Sequence, residues 1–186
     1  MLVVVVAVAS SRPSTVRHVT LHTVRPDGQP VDESDGEHEI ILATGCGVER
    51  WPVKTGADAD RGHVSTKVVA TQVASLVKIP KPSHYPTNNR IVPTELHVFQ
   101  VTATVTQYKE EADSDIHLVL HDSVGHSMIA EIPAPTCVAS SSRWRSNIAT
   151  ARATWTHTYP LSTSWHHISR PVTLWTQQNL APEHHG

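Results

Sequence analysis

The stretch from Phe99 to Ile132 reads FQVTATVTQYKEEADSDIHLVLHDSVGHSMIAEI, and three runs within it alternate between apolar and polar residues. Alternation with a period of two predicts β-strands that turn one face to a core and the other face to solvent. Short polar segments separate the three runs. We therefore predict a three-stranded meander.

The register of the second hairpin follows from its apolar face. A slip of one residue would turn every side chain to the opposite face, so the apolar faces of the two strands must align. The resulting pairs are Leu120 with Met128, Leu118 with Ala130, and His117 with Glu131. Residues 122–126 then form a five-residue turn that contains a glycine. We expect Leu118 and Ala130 in the core, and His117 and Glu131 outside it on the polar face.

The residues after the meander predict a helix and another strand. The serines at 140–142 offer an N-cap for a helix that reaches about Tyr159, and a strand begins at 171–175. This order predicts a mainly β fold, a small OB-like β-barrel, with an immunoglobulin-like sandwich as the alternative that the helix argues against. The fifth strand of the barrel is missing, unless residues 16–24 or 40–44 supply it or the chain is cut short.

We divide the chain into three parts: an irregular N-terminal extension with an acidic loop (1–45), an OB-like domain (46–175) and a polar tail (176–186). Within the domain, the spacing of apolar residues between Thr66 and Ile79 favours a short helix over a strand.

The apolar run Leu2–Val8, followed by Ala9 and two serines, is typical of a secretory signal and its cleavage site, although a basic segment before it is missing. The same run of valines also suits a β-strand of the folded domain. A signal predicts a secreted or periplasmic protein, whereas a strand predicts a cytoplasmic one.

Composition excludes some classes of partner. The 186 residues carry a formal charge of −2, which does not favour nucleic acid, and no run of 18 apolar residues predicts a membrane-spanning helix. The two cysteines, Cys46 and Cys137, are too few for a disulfide scaffold, but one bridge between them would close a long loop and contribute about 4 kcal/mol. We expect that bridge, which requires an oxidising compartment.

Several segments of residues 46–174 resemble a family of uncharacterised bacterial proteins that includes exported members. The segments are CGVERW and VKT (46–55), PTNNRI and PTE (86–95), YKEEADSDIHLVL (108–120), and MIAEIP with the following Cys137. The resemblance implies an OB-like domain and export, and it brings no activity with it. It ends after Leu174, from which we expect a truncated or frameshifted C-terminus.

The loop between the first two predicted strands carries four carboxylates, Glu110, Glu111, Asp113 and Asp115. Calcium prefers several oxygen ligands, so we consider a calcium site here, although the spacing is not that of an EF-hand. The alternative is a solvated hairpin tip.

The predicted cross-strand pair His117–Glu131 is a candidate for acid–base chemistry, because a carboxylate raises the pKa of a neighbouring imidazole. Together with Asp113 and Asp115 it would resemble the calcium site of staphylococcal-type nucleases, which share the OB topology. Candidate phosphate partners are Arg90, Arg143, Arg145 and Arg170. The alternative role of the pair is simple stabilisation of the sheet.

Fourteen histidines raise the question of transition metals. The candidate pairs are His166 with His167, His184 with His185, and His121 with His126. Adjacent histidines in a strand point to opposite faces, and the sequence contains no HExxH or CxxC motif. A specific zinc site at these pairs is therefore not favoured.

Two main hypotheses remain, beside the possibility of a truncated paralogue without a working site. The first is an exported, non-catalytic binding or structural module without a cofactor. The second is a calcium-dependent, nuclease-like hydrolase that uses Asp113, Asp115, His117 and Glu131. Convergence of these four side chains in a cleft beside an arginine would favour the enzyme, and their separation into solvent would favour the module.

Overall fold

A computed structural model describes residues 2–9 and 45–179 of the chain. The strands are β1 (Leu2–Ala9), β2 (Val68–Thr71), β3 (Val98–Glu110), β4 (Ile116–His121), β5 (Ser127–Ile132) and β6 (His166–Asn179). The helices are α1 (Trp51–Thr55), α2 (Val73–Leu76) and α3 (Arg145–Thr158), with short 3-10 turns at Arg61–His63, Thr94–Leu96 and Pro135–Cys137. The prediction of a mainly β fold is confirmed.

The predicted meander is β3, β4 and β5, which pair antiparallel in sequence order. The register of β4 on β5 is the predicted one, and His117 lies opposite Glu131. Leu118 and Ala130 are fully buried, as the alternation requires. Local periodicity was sufficient here because both strands turn apolar residues to one core.

β3 is long enough to pair with three strands. Its first residues pair in parallel with β2, its last residues pair antiparallel with β4, and β6 runs antiparallel beside it from Val98 to Tyr108. A bulge at Thr106 interrupts both antiparallel pairings between Val105 and Gln107. β1 pairs antiparallel with β6 and in parallel with β5, where Val4 is opposite Glu131.

The predicted helix between Thr66 and Ile79 is wrong for its first half. Val68–Thr71 is strand β2, because these β-branched residues find an open edge of β3 with which to pair. Only Val73–Leu76 is helical, and the side chains of Val73 and Leu76 are buried. The spacing of apolar residues over 66–79 therefore comes from strand β2 followed by helix α2, and not from one helix.

Helix α3 begins later than predicted. Its N-cap is Trp144 and not one of the serines. The Ser142 hydroxyl accepts a hydrogen bond from the Trp144 backbone N–H and donates one to the carbonyl of Thr55, so it joins two segments. The helix ends at Thr158, one residue before the predicted end, and buries Ile148, Ala151 and Trp155.

The three-part division of the chain differs from the structure at both ends. Residues 2–9, which we assigned to an extension, are strand β1 of the same sheet. β6 begins at His166, five residues before the predicted start, and continues through residue 176, where the predicted tail began. Gln177 is buried and accepts a hydrogen bond from Arg90. The two proposed substitutes for a fifth strand, 16–24 and 40–44, and the acidic loop lie outside the described residues.

The apolar core lies between the sheet and helices α2 and α3. Its fully buried large side chains include Leu76, Ile116, Leu120, Ile132, Ile148, Trp155 and Leu174. Tyr108 contacts the ring of Trp155 edge-on at 5.4 Å and lies parallel to the ring of His166 at 4.8 Å. No helix within the described ranges combines the length and apolar character that a bilayer crossing requires.

The predicted disulfide is confirmed: Cys46 and Cys137 are bonded, with their Cα atoms 5.6 Å apart and a sequence separation of 91. Trp51, five residues after Cys46, donates its indole N–H to the carbonyl of Cys137 at 2.8 Å. The bridge therefore anchors the start of α1 beside the turn that follows β5.

Replacing both cysteines, Cys46→Ser with Cys137→Ser, should lower the free energy of unfolding by about 4 kcal/mol, because the unfolded chain regains the entropy of a long open loop. Urea denaturation of the oxidised protein and of the double variant measures this difference. Two reactive sulfhydryls in the denatured, unreduced wild-type protein would contradict the bridge.

Candidate functional site

Helix α1 occupies the face of the β4–β5 hairpin that the alternation predicted to be in solvent. The helix is one short turn that ends at Gly56, whose φ is 70°. A Cβ atom at Gly56 would lie 2.0 Å from Cδ1 of Trp144, so only glycine allows this close approach. The turn holds Lys54 against the hairpin, and the Lys54 side chain is 3% exposed.

The ammonium group of Lys54 meets three buried carboxylates. Its Nζ atom is 2.6 Å from Oδ2 of Asp115, 2.5 Å from Oε2 of Glu131 and 3.8 Å from Oδ2 of Asp113. Burial alone lowers the pKa of Lys54, but the negative charges of the three carboxylates outweigh burial and hold that pKa well above its usual range. Lys54 is therefore a cation in the folded protein.

One lysine does not neutralise three carboxylates. Burial raises the pKa of Asp115, and the nearby charge of Asp113 adds to this, so that the pKa is about 6 in spite of Lys54. Burial likewise raises the pKa of Glu131 well above its usual range. The interior around Lys54 thus carries an excess of negative charge that binds protons readily.

The loop between β3 and β4 turns its carboxylates inward. The backbone N–H of Glu111 donates a hydrogen bond to the carbonyl of Asp115, and Ser114 adopts a positive φ of 70°. Asp113 accepts a hydrogen bond from the backbone N–H of Asp115, and Asp115 accepts one from the N–H of Ala134. These bonds hold both aspartates at zero exposure, which excludes the predicted solvated hairpin tip for them.

A second group of ligands adjoins Lys54. Nδ1 of His117 lies 3.0 Å from Oε1 of Glu111 and 3.8 Å from Oε1 of Glu131. Within the described part of the chain, these three residues form a group whose ligand atoms all lie within 4.8 Å of one another. They could hold a metal ion, and we call them the Glu–His–Glu cluster.

Aromatic and basic side chains border this cluster. Trp165 contacts the ring of His117 edge-on at 5.3 Å, and Nζ of Lys109 lies 4.6 Å from the centre of the Trp165 ring. Burial alone raises the pKa of Glu111, but contact with His117 and the charges of Lys109 and Lys54 outweigh burial and lower that pKa to about 2. Glu111 is therefore ionised at any physiological pH.

The four carboxylates predicted as a calcium loop are distributed among three places. Glu110 pairs with Arg152 of α3 at 2.8 Å. Asp113 and Asp115 contact Lys54, whereas Glu111 contacts His117 and Lys109. Neighbouring residues at the end of a strand point to opposite faces, which separates Glu110 from the others.

The expectation that His117 and Glu131 lie outside is wrong. His117 is 6% exposed and Glu131 is 3% exposed. Lys54 of α1 contacts Glu131, and Glu111 and Trp165 contact His117. Sequence reasoning missed Lys54 altogether. A single lysine in a five-residue helix carries no periodic pattern that would have marked it as a partner of distant carboxylates.

Three of the candidate phosphate partners are bound elsewhere. The guanidinium group of Arg90 donates to both oxygens of Asp58, at 2.9 and 2.6 Å. Arg143 donates to backbone carbonyls of residues 61 and 64, and Arg145 donates to the carbonyl of residue 138. Arg170 lies in β6 opposite Val105 of β3.

Two buried arginines fix the conformation of the segment that precedes β3 through ion pairs and hydrogen bonds. Arg50 and Glu95 form a two-bond ion pair at 2.6 and 2.8 Å, and Arg90 forms a similar pair with Asp58. Arg50 also donates to the carbonyls of residues 86 and 89. Paired, planar contacts of this kind hold an irregular chain in one conformation.

Among the described residues, neither His121 with His126 nor His166 with His167 belongs to a group of three potential metal ligands. His126 contacts Asp122 at 2.8 Å within the β4–β5 turn, and the His166 ring lies on Tyr108. His121 pairs with Ser127 at the end of the hairpin. The pair at 184–185 lies outside the described residues.

Comparison with models of protein families, with curated proteins and with solved structures finds no match for this chain. The functional conclusion must therefore come from the geometry of the site.

Replacing Lys54 by methionine should lower the free energy of unfolding by about 3–5 kcal/mol, because it leaves buried carboxylates without a counter-charge. The matched control is Lys109→Met, which removes a lysine that is 27% exposed and should cost no more than about 1 kcal/mol. Urea denaturation of both variants provides the comparison. If both variants lose the same free energy of unfolding, the buried contacts of Lys54 contribute no more to stability than those of an exposed lysine.

Stability should depend on pH through Asp115. The pKa of Asp115 is near 4 in the unfolded chain and about 6 in the folded protein, so the folded protein binds this proton more tightly. The free energy of unfolding should therefore fall as the pH rises from 4 to above 6, by up to about 3 kcal/mol. In Asp115→Asn this contribution is absent. The variant should therefore gain stability relative to wild type between pH 4 and pH 7 in urea denaturation, and a constant difference would contradict the assignment.

Proposed function

We propose that this chain is an exported, non-catalytic β-domain of the OB type that serves as a binding or structural module. The observation that carries the proposal is the state of the candidate catalytic groups. Asp113 and Asp115 have zero exposure, Glu131 has 3%, and all three already contact the ammonium group of Lys54. A general base must come within hydrogen-bond distance of the proton that it removes. These groups are engaged in holding the fold together.

The strand pairings support the OB type. An OB-fold has three strands in a meander, a helix and two more strands, with pairings that return to the first strand. Here β3, β4 and β5 are the meander and α3 follows them. β5 pairs with β1, β1 with β6, and β6 with β3. In this assignment β1, from the N-terminal end of the chain, takes the place of the last strand.

The run Leu2–Ala9 is strand β1, which by itself favours the cytoplasmic alternative over a secretory signal, so the support for export comes from the disulfide. Protein disulfides persist in oxidising compartments and are rare in the cytosol of mesophiles. The bond between Cys46 and Cys137, together with the family resemblance of the segments around both cysteines, favours a periplasmic or extracellular location.

The surface that we propose for binding is the outer side of β4 and β5, which is the ligand face of many OB-folds. Lys54 contacts Glu131 and so covers this side at the end of the hairpin that lies away from its turn. Towards the turn, Ile129 and His121 are half-buried and Ser127 is exposed. A ligand would therefore contact the part of the hairpin near its turn.

The hydrolase hypothesis has weaker support. The three carboxylates of the predicted nuclease-like set do converge, but on the ammonium group of Lys54, which already serves as their counter-charge. Arg90 is held by Asp58, and Arg143 and Arg145 are held by backbone carbonyls. Phosphate recognition from these arginines would require their present bonds to break.

The test is a cleavage assay with the oxidised protein on single-stranded DNA, duplex DNA and RNA, with calcium, magnesium or manganese, and with EDTA. We expect no cleavage by wild type beyond that of a Glu131→Gln variant and of the control His126→Gln, which changes a histidine in the hairpin turn. Metal-dependent cleavage that Glu131→Gln loses and His126→Gln keeps would overturn the proposal. Equal cleavage in all three samples indicates a contaminating nuclease and agrees with it.

A further inference from the structure

We propose that Glu111, His117 and Glu131 form a binding site for one first-row divalent metal ion of the zinc class. Three observations carry the proposal: the spacing of the ligand atoms, the unsatisfied nitrogen of His117 and the charge of the surroundings. The site differs from the calcium loop predicted from the sequence, since it shares only Glu111 with that set.

The spacing of the ligand atoms fits a small tetrahedral ion. Zinc binds imidazole nitrogen and carboxylate oxygen at about 2.0–2.2 Å, so neighbouring ligand atoms in a tetrahedral site lie about 3.4 Å apart. The two distances from Nδ1 of His117 to the glutamate oxygens, 3.0 and 3.8 Å, lie on either side of that value. All three ligand atoms lie within 4.8 Å of one another, so side-chain shifts of about one ångström would bring them to a single ion.

His117 contributes an independent observation. Its side chain is more than nine-tenths buried, and its Nδ1 atom forms no hydrogen bond, although an oxygen of Glu111 lies 3.0 Å away. Buried polar atoms are normally bonded, and an unsatisfied one costs about 1–3 kcal/mol. A metal ion bound to the nitrogen lone pair would satisfy this atom, and the carboxylates of both glutamates would be its other ligands.

The charge around the cluster leaves room for a divalent cation. Four carboxylates, those of Glu111, Asp113, Asp115 and Glu131, are within contact of only two ammonium groups, those of Lys54 and Lys109. When all four carboxylates are ionised, they carry two negative charges more than the two ammonium groups balance. One divalent ion would balance this excess, and Nζ of Lys109 already lies 3.5 Å from the Glu111 oxygen that faces His117.

The ligand chemistry selects the class of metal. One imidazole with two carboxylates suits zinc, manganese, cobalt or iron(II), whereas calcium prefers six to eight oxygen ligands. Three protein ligands leave a fourth position of a tetrahedral ion for water. Glu111, with its side chain 10% exposed, marks the side from which the ion would enter.

Trp165 supplies a spectroscopic reporter, because its ring touches that of His117. The experiment uses the full oxidised chain, stripped with EDTA and dialysed. Zinc is titrated in by calorimetry, with thermal unfolding in parallel, and cobalt(II) is titrated with tryptophan fluorescence and visible absorption as readouts. We expect about one tight zinc site, an increase in melting temperature, quenching by cobalt and a tetrahedral cobalt spectrum.

Two variants and a matched control locate the site. Glu111→Gln and His117→Gln should each weaken zinc binding by at least about tenfold. His126→Gln, which alters another histidine in contact with a carboxylate, should bind as wild type does. If His117→Gln fails to fold, the zinc affinity of Glu111→Gln, a change at a partly exposed residue, and the cobalt spectrum of the wild type still test the site.

Three results would overturn the proposal. The first is no saturable zinc binding by wild type. The second is unchanged affinity in Glu111→Gln, which would place the metal on other histidines. The third is calcium binding that is tighter than zinc binding. None of these depends on the cleavage assay, so the metal site and the non-catalytic module can fail separately.

Discussion

Lys54 is the charge around which the domain is organised. Its ammonium group is buried between Asp115, at the end of the β3–β4 loop, and Glu131, in β5. A buried cation is tolerated only when counter-charges lie against it, and buried carboxylates need the cation equally. Helix α1, the loop and the hairpin must therefore come together as a unit. The Cys46–Cys137 bridge and the two buried arginine pairs hold the irregular segment before β3 in the position that this contact requires.

The same arrangement explains why we assign a structural role to residues whose types are common in catalytic sites. Asp113, Asp115, His117 and Glu131 do lie together, as the nuclease-like hypothesis required, but all four are buried. The three carboxylates contact Lys54, whereas His117 contacts Glu111 and Glu131. The carboxylates outnumber the lysines, and the excess charge lies towards Glu111 and His117. Protons or a divalent ion can compensate it there, and the stability of the fold and the chemistry of the cluster are consequently linked.

Much of the sheet was predictable, and the errors have one physical origin. The register of β4 on β5 and the strand character of β3 follow from local alternation, which the structure confirms. Alternation identifies which side chains are polar, but it does not say whether polar side chains face water or a buried partner. His117 and Glu131 were placed in solvent for that reason. β2 was missed because four β-branched and small residues gain strand structure only from the edge of β3.

The sequence by itself determined the elements whose information is local: the hairpin register, the core-facing residues Leu118 and Ala130, the helix ending near residue 158, and the pairing of the two available cysteines. Only the tertiary structure decided that Lys54 meets Asp115 and Glu131, and that Glu111 joins His117. The contacts of Lys54 span 59 to 77 positions of the sequence, as the numbering of the chain shows. Their residues are single, carry no periodicity and acquire partners only when chain segments far apart in sequence pack together.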